Sequence, residues 1–376
     1  MMTVEIKPYL LNRDPDKYRG HSFEYTLKHS SGASFSVINL GALITNIMVP
    51  DRWGQLADVE LGHKDLDDYL LNPSWHGITV GRSANRIKGA TFQIEGVRHH
   101  ITQNEGENNL HSGSPGFHDS FWSAGVLSES EGQAFMDRTM INTKQVIEGE
   151  SVLFELVSPD GAAGFPGNLN AQVFYAWGKD KTLIIVFTGE SDQATVFAPT
   201  NHSYFNLEAH DAGNVKNHLL WIKASRITRK SEDNVPDGTY IDVAGTPFDF
   251  TKPDYVGKTM NDSHPQLACS KGMDQNYCLE NRGRADIPSA YLYDPKTGRK
   301  MEMLTNFPGV QIYTGNHLSE CPSKNDGTYE AYTGICLEAQ MYPDAVNHPD
   351  FPNAVIVAGE RKCYFTGYRF SVENCL

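Results

Sequence analysis

FEYTLKHSSGASFSV, residues 23–37, carries apolar side chains at Phe23, Tyr25 and Leu27 and again at Phe35 and Val37, with Ser31-Gly32 between the two sets. Successive side chains of a strand point to opposite faces. An apolar residue at every second position, interrupted by a turn pair, therefore predicts a hairpin with one buried face. Working outward, residues 152–157, 171–177 and 183–187 are further runs rich in β-branched and aromatic residues, bounded by Gly, Pro, Asp or Asn. The 33 glycines and 19 prolines punctuate the whole length. Helical periodicity is scarce; residues 64–71 read as a short helix with Asp67 and Asp68 near its middle. The chain reads as mostly β, with many strands in two or more packed layers.

The 376 residues show no low-complexity linker and no shift of composition, so one β domain over 1–376 is expected. The absence of a fixed-period repeat disfavours a propeller or solenoid. A net charge of −14 argues against a nucleic-acid partner, because binding a duplex needs clustered Lys and Arg. No stretch approaches the roughly 18 apolar residues of a membrane span, and the N-terminus lacks the basic and apolar regions of a secretory leader. The cysteines, Cys269, Cys278, Cys321, Cys336, Cys363 and Cys375, share no CxxC spacing. They read as reduced thiols of a cytoplasmic protein, and no metal site is expected from the sequence.

Several segments concentrate Asn, His, Arg, Asp and Glu between Gly and Pro turns: GRSANRIKGATFQIEG (81–96), NEGENNLHSG (104–113), PTNHSYFNLEAH (199–210), GMDQNYCLE (272–280), PGVQIYTGNHL (308–318) and GICLEAQMYPDAVNHPDFPN (334–353). Taken singly, most have ordinary structural readings. Arg86 reads as a surface cation, His111 as a turn histidine, His202 as a hydrogen-bonded histidine at a strand end, and Asp274 as a turn former. Gln311, between Val310 and Ile312, reads as the solvent side of a strand. Glu338 stands apart. Alternation puts it on one face with Cys336 and Gln340, opposite Leu337, in an otherwise apolar strand. A carboxylate there is costly unless paired and tends toward a raised pKa, which makes it a candidate base. Carboxylates, amides, imidazoles and an arginine on strands suit a sugar, whose hydroxyls both donate and accept. No HExxH, P-loop, GxGxxG or GxSxG is present.

Read together and in order, these segments resemble the aldose 1-epimerase, or galactose mutarotase, family. The resemblance rests on G-R-x-A-N-R-I, N-x-L-H-x-G, T-N-H-x-Y-F-N-L, D-x-N, P-G-V-Q-x-Y-T-G-N and G-x-x-L-E-x-Q-x-x-P-D-A-x-N-x-P-x-F-P, running from Gly81 to Pro352. It implies a large antiparallel β-sandwich. It also implies His202 as general acid and Glu338 as general base. Asn85, Arg86, His111, Asp274 and Gln311 would hold sugar hydroxyls, with Tyr204 as a wall or hydrogen-bond partner. The implied reaction interconverts the α and β anomers of free hexoses such as glucose and galactose. It works by acid–base ring opening and reclosure, with no cofactor. The expected partner is a small monosaccharide, and the expected assembly a monomer or homodimer. Gln275, Ala339, Ser112 and His317 depart from residues common in the family and bear on which aldose is preferred. Two other classes remain in view: a glycoside hydrolase with Asp274 and Glu338 as its carboxylate pair, and a non-catalytic sugar-binding module.

Overall fold

A computed structural model describes residues 2–9, 21–71, 74–260 and 262–373, so Cys375 lies outside the described residues. The opening hairpin forms as expected. Phe23–Lys28 pairs antiparallel with Ser34–Ile38, setting Tyr25 opposite Val37 and Leu27 opposite Phe35. With Glu5–Pro8, Leu43–Pro50 and Leu56–Asp58 it makes a five-stranded sheet. A nine-stranded sheet runs Ser123–Leu127, Ile147–Ser158, Leu169–Gly178, Thr182–Ser191, Arg361–Val372, Arg299–Thr305, Pro288–Tyr293, Leu219–Ile222, Asp254–Tyr255. A six-stranded sheet runs Tyr204–Phe205, Ile335–Gln340, Gly309–Tyr313, Asp274–Cys278, Arg226–Lys230, Pro236–Asp242. The neighbouring strands of these sheets are antiparallel throughout.

The nine-stranded sheet is the backing layer of the sandwich. Its Trp177 meets Phe35 of the first sheet at 5.0 Å between ring centroids, and its Tyr368 meets Phe205 of the six-stranded sheet at 4.9 Å. All three sheets feed one contiguous cluster of buried apolar side chains. The opposite face of the same sheet is also apolar at Phe174, Ile184, Val186 and Phe365, and there it packs on Phe135 and Met136. That second burial explains why residues 171–177 and 183–187 read as continuous apolar runs rather than as an alternation.

Phe135 and Met136 belong to the helix Glu129–Arg138, which hydrophobic periodicity did not announce. Its signal was the start. Ser128 caps the helix through a reciprocal box with Glu131, a Ser-x-x-Glu pattern that satisfies two otherwise orphaned N–H groups. Gly132 lets it lie close to the sheet, since a Cβ there would stand 2.6 Å from Ser151 Oγ. The expected helix at 64–71 forms as Leu66–Leu71, which shifts Asp67 and Asp68 from its middle into its first turn.

Candidate active site

Register builds the site. In the six-stranded sheet Tyr204 faces Cys336, Cys336 faces Tyr313, and Tyr313 faces Asp274, so four side chains lie in one row across four strands. Two residues along, Glu338 faces Gln311, which faces Asn276. The period of two puts both rows on the same face, while Leu337, Ala339, Val310 and Ile312 go to the core. The alternation read for Glu338 and Cys336 therefore holds in space. Loops deliver the rest. His202 is tied by its own N–H to the carbonyl of Ile78 and by its carbonyl to the N–H of Gly77. Arg86 faces Leu110 in a two-stranded pair, which brings Asn85-Arg86 against His111.

These residues line a cleft of about 220 Å³. All eight residues singled out from the sequence, His202, Glu338, Asn85, Arg86, His111, Tyr204, Asp274 and Gln311, border it. His202 Nε2 stands 3.6 Å from Glu338 Oε1, and both side chains are almost wholly buried. His202 Nδ1 stands 3.7 Å from the Cys336 thiol. Glu338 Oε2 and Gln311 Oε1 have no hydrogen-bond partner among the described residues, and buried oxygens in that condition favour a ligand that donates.

Burial sets the protonation of the pair. It pushes the His202 imidazole down to about 4, against a smaller upward pull that includes Asp274. It pushes the Glu338 carboxyl well above its ordinary value, with the nearby Asp274 charge adding to the rise and Arg86 opposing it. Both effects favour an uncharged pair that keeps its single proton on Glu338. Asp274 behaves oppositely. Burial would raise it, but Lys230, Arg86 and a hydrogen bond from Gln311 Nε2 (2.6 Å) together hold it below the usual carboxylate range. Lys230 is itself buried and donates to Ser270 Oγ and to the Asp274 carbonyl, each at 2.7 Å.

Several of the ordinary readings give way. Arg86 is no free surface cation. Its side chain is 13% exposed and donates twice to Glu105, both bonds 2.6 Å. Gln311 is buried and faces the cleft rather than open solvent. Asp274 opens a strand instead of forming a turn. His111 accepts the Asn85 N–H at Nδ1, which leaves its proton on Nε2. Burial, followed by His202 and Arg86, keeps it neutral. The Tyr204 hydroxyl is already spent on the Ser74 carbonyl (2.8 Å), so Tyr204 offers the cleft its ring, 5.0 Å from that of His202. Asn85 sits at φ +57° and accepts the Arg86 N–H at Oδ1, so it shapes the turn it occupies.

Trp75, Glu105, Asn234 and Tyr313 also line the cleft and had not been singled out, and His317 had been noted only as a departure. Tyr313 was reachable from Gln311 by the period of two, and Glu105 lies inside one of the polar segments. Nothing local marks Trp75, whose ring packs 4.8 Å from that of His111. Conversely, the first arginine of GRSANRI is structural. Arg82 is 2% exposed and donates to Ser158 Oγ, Thr195 Oγ1 and the carbonyls of Ser158, Pro159, Pro166 and Gly167.

A cleft of this kind, lined by many polar side chains on the face of a large antiparallel sandwich, has the make-up of a binding site for a small molecule, with an imidazole and a carboxyl facing one another inside it. The comparisons give the family. Residues 24–369 match the family model described as Aldose 1-epimerase. The chain is 36% identical to human galactose mutarotase over 89% of its length and 90% of that protein's. It is 29% identical to the aldose 1-epimerase of Escherichia coli K12, covering 93% and 95% of the two chains. The crystal structure of galactose 1-epimerase from Lactobacillus acidophilus superposes over the full length of both chains with a TM-score of 0.81 at 25% identity. The chain belongs to the aldose 1-epimerase family of isomerases.

Proposed function

We propose that this protein interconverts the α and β anomers of free hexoses such as glucose and galactose, with His202 and Glu338 exchanging protons with the sugar. The observation that carries this reading is the 3.6 Å separation of the two groups. Mutarotation takes a proton from O1 and gives one to the ring oxygen O5. Both oxygens are bonded to C1, so acid and base must converge on almost the same place. The hydrolase alternative needs two carboxylates, Asp274 and Glu338, about 5–9.5 Å apart to span a nucleophile or a water, whereas the groups that meet here are an imidazole and a carboxyl. Neither the hydrolase nor the non-catalytic module draws support from the relatives, which are named as mutarotases and epimerases.

Proton counting gives the pair a cycle. With imidazolium at His202 and carboxylate at Glu338, Glu338 removes the O1 proton while His202 protonates O5, and the C1–O5 bond breaks. The open-chain aldehyde is left beside neutral imidazole and protonated carboxyl. This is the form that burial already favours, so the cleft stabilises the ring-opened stage. After rotation about C1–C2, O5–H returns its proton to His202 as O5 attacks the other face of C1, and the carbonyl oxygen recovers its proton from Glu338. Arg86 stabilises the Glu338 carboxylate and Asp274 the His202 imidazolium, while Asp274 also pushes Glu338 toward its protonated form. The His111 Nε2–H, Arg86, Asn85, Asp274 and Gln311 hold the remaining oxygens, and the Tyr204 ring covers a C–H face. Every proton moves between the sugar and this pair, so the chemistry calls for no redox group.

The reading extends to a cytoplasmic enzyme of one domain, monomeric or homodimeric, acting on monosaccharides alone. No described helix is long and apolar enough to cross a membrane. Polarimetry on freshly dissolved α-glucose and α-galactose tests the proposal. Wild type inactive on every free aldose tried would refute the function. Full activity in both His202→Asn and Glu338→Gln would refute the mechanism.

A further inference from the structure

The ring of Tyr204 touches a second group of chemistry-bearing side chains that the reaction does not use. His76 stacks on it with centroids 4.7 Å apart. The rings of His63 and His76 are 4.9 Å apart, and Cys321 enters from the short hairpin of Cys321–Pro322 and Thr328–Tyr329. One ligand atom from each of His63, His76 and Cys321 lies within 4.8 Å of the other two. The three residues are 2%, 0% and 5% exposed. His63 and His76 lie in one stretch of chain and Cys321 lies far beyond it, so no metal-ligand spacing in the sequence announces the three together.

We propose that His63, His76 and Cys321 form a structural binding site for one borderline-soft transition-metal ion, Zn²⁺ in the first place. Two imidazoles and a thiolate are donors that Zn²⁺ prefers over hard cations. A tetrahedral ion with its usual bond lengths sets such donors about 3.3–3.8 Å apart, so side-chain rotations of about 1 Å close the site. The orientation of His63 fits the role. Its Nδ1 lies 2.8 Å from the Pro322 carbonyl. A carbonyl can only accept, so Nδ1 carries the proton and the neutral ring keeps its lone pair on Nε2. This is the outer hydrogen bond that ordinarily orients a metal-binding histidine. Pro322 follows Cys321, so one hairpin supplies both a ligand and the group that aims another. Ser74 Oγ lies 3.6 Å from Cys321 Sγ and is the candidate fourth donor, directly or through a water. The nearby charge of Lys324 is offset by Asp58 at 2.7 Å. An ion here does not reach the sugar. It fixes the ring of Tyr204 from behind and joins the segments carrying His63, His76 and Cys321 into one wall.

The test is metal uptake by the full chain after chelator treatment, followed by competition with a chromophoric chelator for Zn²⁺ and by thiolate-to-metal absorption with Co²⁺. His76→Phe preserves the stack on Tyr204 and removes the donor, and Cys321→Ser removes the thiolate. Cys336→Ser controls for the other group whose donors lie this close, His202, Cys336 and Glu338. The expected result is one ion per chain in wild type, affinity at least tenfold weaker in both His76→Phe and Cys321→Ser, loss of the Co²⁺ band in Cys321→Ser, and its retention in Cys336→Ser. No uptake by wild type, a change under tenfold in either variant, or a band that depends on Cys336 would overturn the proposal. Metal uptake is read without turnover, so it succeeds or fails independently of the mutarotase mechanism.

Discussion

Replacing Glu338 by Gln separates what the residue does for the reaction from what it does to the fold. The amide is nearly isosteric and keeps the place opposite Gln311 in the ladder. It cannot cycle a proton between O1 and itself. Removing one partner of a general acid–base pair costs about 10²–10⁴ in rate, or about 2.7–5.4 kcal/mol of barrier. The effect on stability has the opposite sign. Below about pH 4.5 the carboxyl is protonated in both the folded and unfolded chains and carries no penalty. Above that value the unfolded chain ionises while burial holds Glu338 protonated, so wild type loses stability as pH rises toward the raised folded value. Gln does not titrate and escapes the loss. The expected outcome at pH 7 is kcat lower by about 10²–10⁴ with a Tm equal to or above wild type. Polarimetry corrected for spontaneous mutarotation and a thermal melt on the same sample measure both. A variant within tenfold of wild-type kcat would show that Glu338 is not the base. A variant that melts well below wild type would show that its carboxylate is paired and structural.

Other outcomes follow from the same geometry. The rate should fall on the acid side near 4, where His202 takes a second proton into the pair, as a pH profile of kcat/KM will show. Over the window from about 6.5 down to about 4, unfolded chains bind protons that buried His202 and His218 refuse, which pulls Tm down with pH against the opposite contribution of Glu338, so Tm should fall more steeply with pH in Glu338→Gln than in wild type. Glu105→Gln weakens the clamp on Arg86 and should raise KM several-fold with a smaller change in kcat, as saturation kinetics will test. Arg82→Lys leaves several buried carbonyls short of donors and should cost at least about 3 kcal/mol in denaturant unfolding while sparing kcat in the folded fraction. Phe135→Ala opens a hole beneath the helix and should cost about 3–5 kcal/mol, again without effect on kcat.

The strands were legible because their apolar residues are set by burial, and burial writes a period into the chain. The hairpin of Phe23–Lys28 and Ser34–Ile38 followed from alternation alone, as did the shared face of Glu338 and Cys336. The helix Glu129–Arg138 was not legible by that route, since only Gly132, Phe135 and Met136 of its ten residues are buried and its pattern is mostly polar. The site was legible as an ordered set of motifs but not as a shape. Glu105, Trp75 and Asn234 enter the cleft from separate loops, and which loop folds over a sheet is fixed by tertiary packing rather than by neighbours in sequence. Arg82 and Arg86 stand four residues apart in one motif. One is consumed by carbonyl groups inside the fold and the other faces the cleft, a distinction that only the partners reveal.

The pairing of Gly309–Tyr313 with Ile335–Gln340 has a further consequence. Shifting one strand by a single residue would turn Leu337 toward the sugar and bury Glu338 in the hydrophobic interior. No intermediate setting exists between those two, so a molecule is wired either for turnover or for none. Specific activity in a refolded preparation should therefore count correctly assembled molecules, each one working at full speed or silent.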